Sequence, residues 1–260
     1  HDPRVKNLSF TGSTEVGRVL IREAADRVIR CSMELGGNAP FVVFEDADIP
    51  AAVAGLMLAK MRNGGAACTS ANRIFVQRGI ADKFIAEMTK SMSSYVMGRG
   101  VEATTTLGAY VSMKERNKIA DIVDESIAAG AKVEVGGVKP EGDGAFYPAT
   151  VLVVKKDNPI LLHEIFGPVA PIVIFDTDEE GIELANDTEF GLISYVFSSN
   201  LTRALRTAEA MESGMVAINK GVISDPAAPF GGVKQSGLGR EGGFDGIHEF
   251  LQTKFIGVEI

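Results

Sequence analysis

Apolar residues along this chain recur at two different spacings, and the alternation between them predicts the fold. Between 16 and 28, Val16, Val19, Leu20, Ala24 and Val28 repeat at helical spacing with Arg22, Glu23 and Arg27 interleaved, which is the pattern of an amphipathic helix. Ahead of it, 5–10 reads as a short strand and Thr11-Gly12-Ser13-Thr14-Glu15 as a tight turn carrying a helix cap. The run 41–44 is apolar without interruption, as in strands covered on both faces of a parallel sheet. Further strands are predicted at 73–77, 133–135, 149–154, 172–175, 194–197 and 215–219, and helices at 81–91, 114–129, 178–186 and 202–212. Strands that alternate with helices predict an α/β fold with a parallel-rich sheet flanked by helices.

The longest apolar helix points at the most reactive side chain. Asp48 is an acidic N-cap, Pro50 is tolerated in the first turn, and Ala, Leu and Met fill 51–61. Arg62-Asn63-Gly64-Gly65 then opens the backbone, with Gly64 where a helix usually ends, and Cys68 follows on that mobile stretch beside Arg62. Such a thiol is a candidate nucleophile. Taken alone, a single cysteine is more often a buried structural residue, and that alternative stays open at this point. The strand, glycine turn and capped helix at 5–28 is half of a nucleotide-binding unit, yet an ordinary βα connection has the same pattern. A literal G-x-G-x-x-G at Gly237, Gly239 and Gly242 has no strand before it and no βαβ unit around it, so it does not read as a dinucleotide motif.

Composition narrows the classes of function. With 45% hydrophobic and 23% charged residues, the 260-residue chain can bury a large core. Acidic residues outnumber basic ones for a net charge of −8, and no lysine and arginine cluster tracks a phosphate backbone, so nucleic acid is not an expected partner. The apolar run 50–59 is far short of the roughly 20 residues that cross a bilayer, and no membrane partner is expected. Two unpaired cysteines, Cys31 and Cys68, suit a reducing, cytoplasmic setting. The histidines His1, His163 and His248 are too scattered for a metal site.

Four motifs occur in a recognisable order: Glu34-Leu35-Gly36-Gly37, Cys68, Glu164-Ile165-Phe166-Gly167-Pro168, and Pro229-Phe230-Gly231-Gly232. Together they resemble the aldehyde dehydrogenase superfamily over essentially the whole chain, and the stretch 219–224 followed by 229–242 resembles most its succinate-semialdehyde dehydrogenase branch. The resemblance implies an NAD- or NADP-dependent oxidoreductase with a catalytic domain of that family's type. It makes Cys68 the nucleophile and Glu34 the general base. It implies Gly12 and Ser13 for the cofactor pyrophosphate, Leu35 for the carboxamide, Glu164 for the ribose and Phe166 beside the nicotinamide. Arg62 and Ser224 match residues that hold a substrate carboxylate, so the implied substrate is a small, carboxylated aldehyde. Without the resemblance, Glu164 reads as a solvated carboxylate, Phe166 as core packing and Arg62 as the complement of a helix C-terminus.

Several positions depart from the family pattern. Ala66 stands where glutamine is common, His163 where an acid is usual, and Ser70 where some members carry a second cysteine, so no disulfide switch with Cys68 is expected. Family members are about twice this length, which implies three parts here: 1–36 as the end of a coenzyme-binding domain, 37–235 as the catalytic domain, and 236–260 as a return and oligomerisation segment. The residues 249–260 are expected as an exposed edge strand that pairs in a homo-oligomer. A fragment of this extent is expected to fold around the catalytic sheet and to bind cofactor poorly. Two further readings stay beside this one: a dehydrogenase of another small aldehyde, and a catalytically silent domain kept for assembly.

Overall fold

A computed structural model describes residues 2–260, so His1 lies outside the described residues. The chain opens with β1 (Asn7–Thr11), α1 (Thr14–Ala25) and β2 (Arg30–Glu34), the two strands pairing in parallel. Ser13 caps α1, its Oγ accepting from the Val16 N–H. There follow β3 (Ala39–Val43), α2 (Ile49–Met61), β4 (Ala71–Gln77), α3 (Ala81–Ser93), α4 (Met113–Ala128), β5 (Lys132–Val135), β6 (Thr150–Val153) and β7 (Val169–Phe175). The remainder is α5 (Asp178–Asn186), β8 (Phe190–Gly191), β9 (Ile193–Phe197), α6 (Leu201–Ala210), β10 (Met215–Ile218), β11 (Val233–Lys234), β12 (Gly237–Leu238) and α7 (Asp245–His248).

Seven strands form the central sheet in the order β10-β9-β3-β4-β7-β6-β5, parallel throughout except for β5 against β6. The α/β, parallel-rich expectation holds. Each of β3, β4 and β9 is buried along its whole length, which explains why their sequences lack an alternating polar face. One apolar cluster packs α2 and α3 on one side of the sheet, with Phe41 stacked on Phe197 at 4.8 Å between ring centroids. A second cluster packs α4 on the other side. Helix α2 buries Ala52, Val53, Leu56 and Ala59 and exposes Ala51, Ala54 and Leu58 on the opposite face, so its even apolar composition does not mark which face is buried.

Two features were not legible in the periodicity. Strand β2 was hidden because its sequence, Arg30-Cys31-Ser32-Met33-Glu34, has no apolar run, and Gly237 and Leu238 close its other edge as β12. The tail 249–260 forms no strand, contrary to expectation. Its backbone has no sheet partner in this chain, and a strand without one cannot satisfy its N–H and C=O groups. Side chains tether its start instead: Asn7 Nδ2 donates to the Glu249 carbonyl at 2.7 Å and Arg30 Nη1 to the Leu251 carbonyl at 3.0 Å. Phe255, Ile256 and Val258 beyond are exposed.

Candidate active site

The site lies where two sheets present opposite ends. The C-terminal ends of β1 and β2 deliver Thr11 and Glu34, whereas the N-terminal approaches to β3, β4 and β7 deliver Gly36, Cys68 and Phe166. Backbone bonds lock this meeting, with the Gly12 N–H donating to the Glu34 carbonyl at 3.0 Å and the Leu35 N–H to the Ser236 carbonyl at 2.9 Å. The result is a cavity of about 460 Å³. Seven of the nine anticipated site residues line it: Gly12, Ser13, Glu34, Leu35, Cys68, Glu164 and Phe166. The other two, Arg62 and Ser224, are exposed and lie outside its lining.

Cys68 reaches this cavity because α2 ends abruptly. After Met61 the chain turns out of the helix at Arg62 and passes through left-handed backbone at Asn63, Gly64 and Gly65. A Cβ on Gly65 would stand 2.2 Å from the Gly167 carbonyl oxygen, so the cysteine loop packs directly on the Glu164–Pro168 segment. A Cβ on Gly37 would stand 2.4 Å from the Cys68 carbonyl, and this close approach sets the loop against the end of the Glu34 segment. The thiol is half-buried. Burial raises its pKa, the Glu34 and Glu164 charges raise it further, and hydrogen bonding to the Cys68 and Thr69 backbone lowers it. Beside the thiol, Arg62 Nη2 donates to Thr69 Oγ1 at 3.0 Å.

Glu34 is 5% exposed, and neither of its carboxyl oxygens finds a hydrogen-bond donor among the described residues. Burial pushes its pKa up from an ordinary 4.5 to about 7, the Glu241 charge adds to the rise, and Arg240 opposes it. The folded protein therefore keeps a proton on Glu34 that the unfolded chain releases near 4.5, so this carboxyl removes stability as pH rises from about 4.5 to about 7. Glu34→Gln is expected to stabilise the fold at pH 8 by on the order of 3 kcal/mol and to change it little at pH 4. Urea unfolding at the two pH values tests this, and equal stabilisation at both would contradict it.

Glu164 Oε1 accepts the Gly37 N–H at 3.0 Å, so the presumed solvated carboxylate is in fact half-buried and tied to the glycine pair. Burial raises its pKa, while the Gly37 bond and the charge of Lys118 lower it. Phe166 is 41% exposed and has φ of 55°, a conformation that an aromatic residue adopts only under constraint. Held this way, it separates the cavity from a second one of about 540 Å³ that opens beside Asn63, Ala66 and Tyr110.

Pattern reading missed Glu115, Lys118 and Glu241, which also line the first cavity. Glu115 and Lys118 share one face of α4 at a spacing of three, a signal indistinguishable from any solvated helix face. The cavity suits a ligand with phosphates and a flat ring. Thr11, Gly12 and Ser13 bring the N-terminus of α1 to the lining, Lys118 adds a positive charge to it, and Leu35, Phe166 and Phe230 provide apolar surface. The G-x-G-x-x-G in the tail serves a different purpose: Gly237 lies against β2, where a Cβ would be 1.9 Å from the Met33 carbonyl. No group of metal-ligating side chains occurs among the described residues, and no described helix is long and apolar enough to cross a membrane.

The sequence matches the model of the aldehyde dehydrogenase family over residues 1–256. It is 50% identical over 258 residues to a succinate-semialdehyde dehydrogenase of Paenarthrobacter nicotinovorans, covering 99% of this chain and 57% of the relative. It is 46% identical over 255 residues to a 3-sulfolactaldehyde dehydrogenase of Pseudomonas putida, covering 98% and 52%. The crystal structure of succinate-semialdehyde dehydrogenase from Burkholderia pseudomallei superposes with a TM-score of 0.93 at 46% identity, covering 96% of this chain and 52% of that one. The chain thus spans about half the length of the relatives it matches.

Proposed function

The chain belongs to the aldehyde dehydrogenase family, and from that premise we propose that the whole protein oxidises succinate semialdehyde, or a close aldehyde with a terminal anion, to the acid using NAD or NADP. The observation that carries this reading is the convergence of Cys68, Glu34, Glu164 and Phe166 on one cavity from three separate segments. Relatives named for succinate semialdehyde and for 3-sulfolactaldehyde, both anionic aldehydes, support the substrate class.

In this proposal the Cys68 thiolate attacks the carbonyl carbon, and the electron pair of the C=O bond moves to oxygen. The Cys68 backbone N–H is a donor for that oxyanion. Collapse of the adduct re-forms C=O, expels hydride and leaves a thioester on Cys68. A bound nicotinamide dinucleotide supplies the hydride acceptor. Ser13 and the α1 N-terminus would hold its pyrophosphate, Glu164 its ribose, Leu35 its carboxamide through the carbonyl, and Phe166 would flank the ring. Glu34 then takes a proton from water as the water adds to the thioester, and the thiolate leaves. A buried carboxyl with its pKa raised to about 7 is suited to this step, since it is basic enough to accept the proton and still partly ionised at neutral pH. The unpaired apolar tail beyond Phe250 supports a homo-oligomeric whole protein.

Arg62 is the residue that ties the reaction to an anionic substrate. Steady-state formation of NADH or NADPH by the whole protein, with carboxylated and uncharged aldehydes of equal length, tests this. Arg62→Ala is expected to lower the ratio of kcat/KM for carboxylated over uncharged aldehydes about 30-fold, mainly through KM. An unchanged ratio would reject the anionic substrate class. It would favour a second reading, the same chemistry on an uncharged small aldehyde, which has one observation in its support: Arg62 and Ser224 do not line the cavity.

A further inference from the structure

We infer that Thr69 is a specificity-determining positioning residue: its hydroxyl holds the Arg62 guanidinium in the orientation that receives the anionic end of the substrate. The inference rests on the substrate class proposed above and names a residue that the motif reading did not single out.

Three observations carry it. First, Arg62 is exposed at the end of α2 and has no carboxylate within ion-pair distance among the described residues; its side chain is tied at one point, Nη2 donating to Thr69 Oγ1 at 3.0 Å. An exposed arginine is ordinarily a mobile side chain that loses rotamer entropy when fixed. One bond to a rigid acceptor reduces that cost before substrate arrives and leaves the other guanidinium N–H groups free.

Second, the acceptor is rigid. Thr69 is 5% exposed, and its carbonyl receives the buried Tyr195 hydroxyl at 2.8 Å. The Tyr195 ring in turn packs on Phe41, with centroids 5.6 Å apart. The next residue is pinned from the other side, because Lys60 Nζ donates to Ser70 Oγ at 3.2 Å and to Asn72 Oδ1 at 2.8 Å. Third, Thr69 directly follows Cys68 in the chain. The same short segment therefore presents the thiol and sets the guanidinium, which couples the position of the aldehyde carbon to that of the anionic end.

The role needs the hydroxyl rather than the shape of the side chain, and this makes it testable. In the whole protein, Thr69→Val is expected to lower the kcat/KM ratio of carboxylated over uncharged aldehydes about tenfold, in KM rather than kcat, as one charge-assisted hydrogen bond is lost. Thr69→Ser is expected to restore the ratio, and Thr69→Ala to repeat the loss should the valine variant fold poorly. In the Arg62→Ala background, Thr69→Val is expected to add nothing to the ratio. If Arg62→Ala collapses the ratio while Thr69→Val and Thr69→Ala preserve it, this inference fails and the anionic substrate class stands. If Arg62→Ala leaves the ratio intact, the substrate class itself fails. Equal losses for charged and uncharged aldehydes in Thr69→Val would place the effect on the Cys68 loop and would also overturn the inference.

Discussion

Cys68→Ala is expected to reduce turnover of the whole protein by at least about a thousandfold, because no other side chain in the cavity can form the acyl intermediate. The other polar groups of the lining, among them Ser13, Glu34, Glu115, Lys118, Glu164 and Glu241, are a hydroxyl, carboxyls and an ammonium, each a poorer nucleophile toward a carbonyl than a thiolate. The substitution removes one sulfur from a half-buried position, so the fold is expected to survive with a near-normal urea midpoint. The pH dependence of thiol alkylation supplies a second reading of the same residue. Burial and the two carboxylates hold the Cys68 thiol above its ordinary value of 9.0, so alkylation of the free protein is expected to be slow at neutral pH and to keep accelerating beyond pH 9. Substantial turnover in Cys68→Ala would remove the covalent route altogether.

Arg73→Met is expected to cost the fold about 3–5 kcal/mol, a large share of the stability of an ordinary domain. Arg73 is 1% exposed and has no ion-pair partner among the described residues. Its guanidinium instead donates to backbone carbonyls: Asn38 at 3.0 Å, Leu184 at 2.9 Å, Ala185 at 2.8 Å and, at 3.4 Å, Asp187. These bonds satisfy the orphan carbonyls at the C-terminus of α5 and join them to the residue after the glycine pair. Methionine fills the volume but leaves each buried acceptor without a donor, and each such loss costs about 1–3 kcal/mol before relaxation. A lower urea midpoint with an unchanged slope is the expected result, and Arg73→Lys should recover only part of it, because an ammonium cannot reach acceptors arranged around a planar fork. A midpoint within experimental scatter of the unsubstituted protein would show that these bonds are not worth their desolvation.

Much of the site was legible because the motifs sit where chain geometry changes. Gly64 and Gly65 announced the end of α2, and Cys68 does emerge from left-handed backbone there. At Gly36 and Gly37 the carboxylate of Glu164 and the carbonyl of Cys68 come closer than a side chain would allow. Lys118 and Glu241 were not legible, since nothing local separates a charge facing a cavity from one facing water. Thr69 escaped notice for a related reason: its partners Arg62 and Tyr195 come from a helix end and from β9, which no short pattern connects. The tail 249–260 has no strand partner within this chain, and the pairing expected of it is with a second copy.

From residue order alone came the α/β alternation and the positions of most strands and helices, because periodicity and turn chemistry are properties of neighbouring residues. Tertiary structure alone decided that the C-terminal ends of β1 and β2 meet the N-terminal approaches to β3, β4 and β7, since parallel pairing joins segments far apart in sequence and leaves no local mark. That meeting is also what strips both Glu34 oxygens of partners and moves the carboxyl toward neutral pH. Composition can name a carboxylate, but only the surrounding fold determines how much water it keeps.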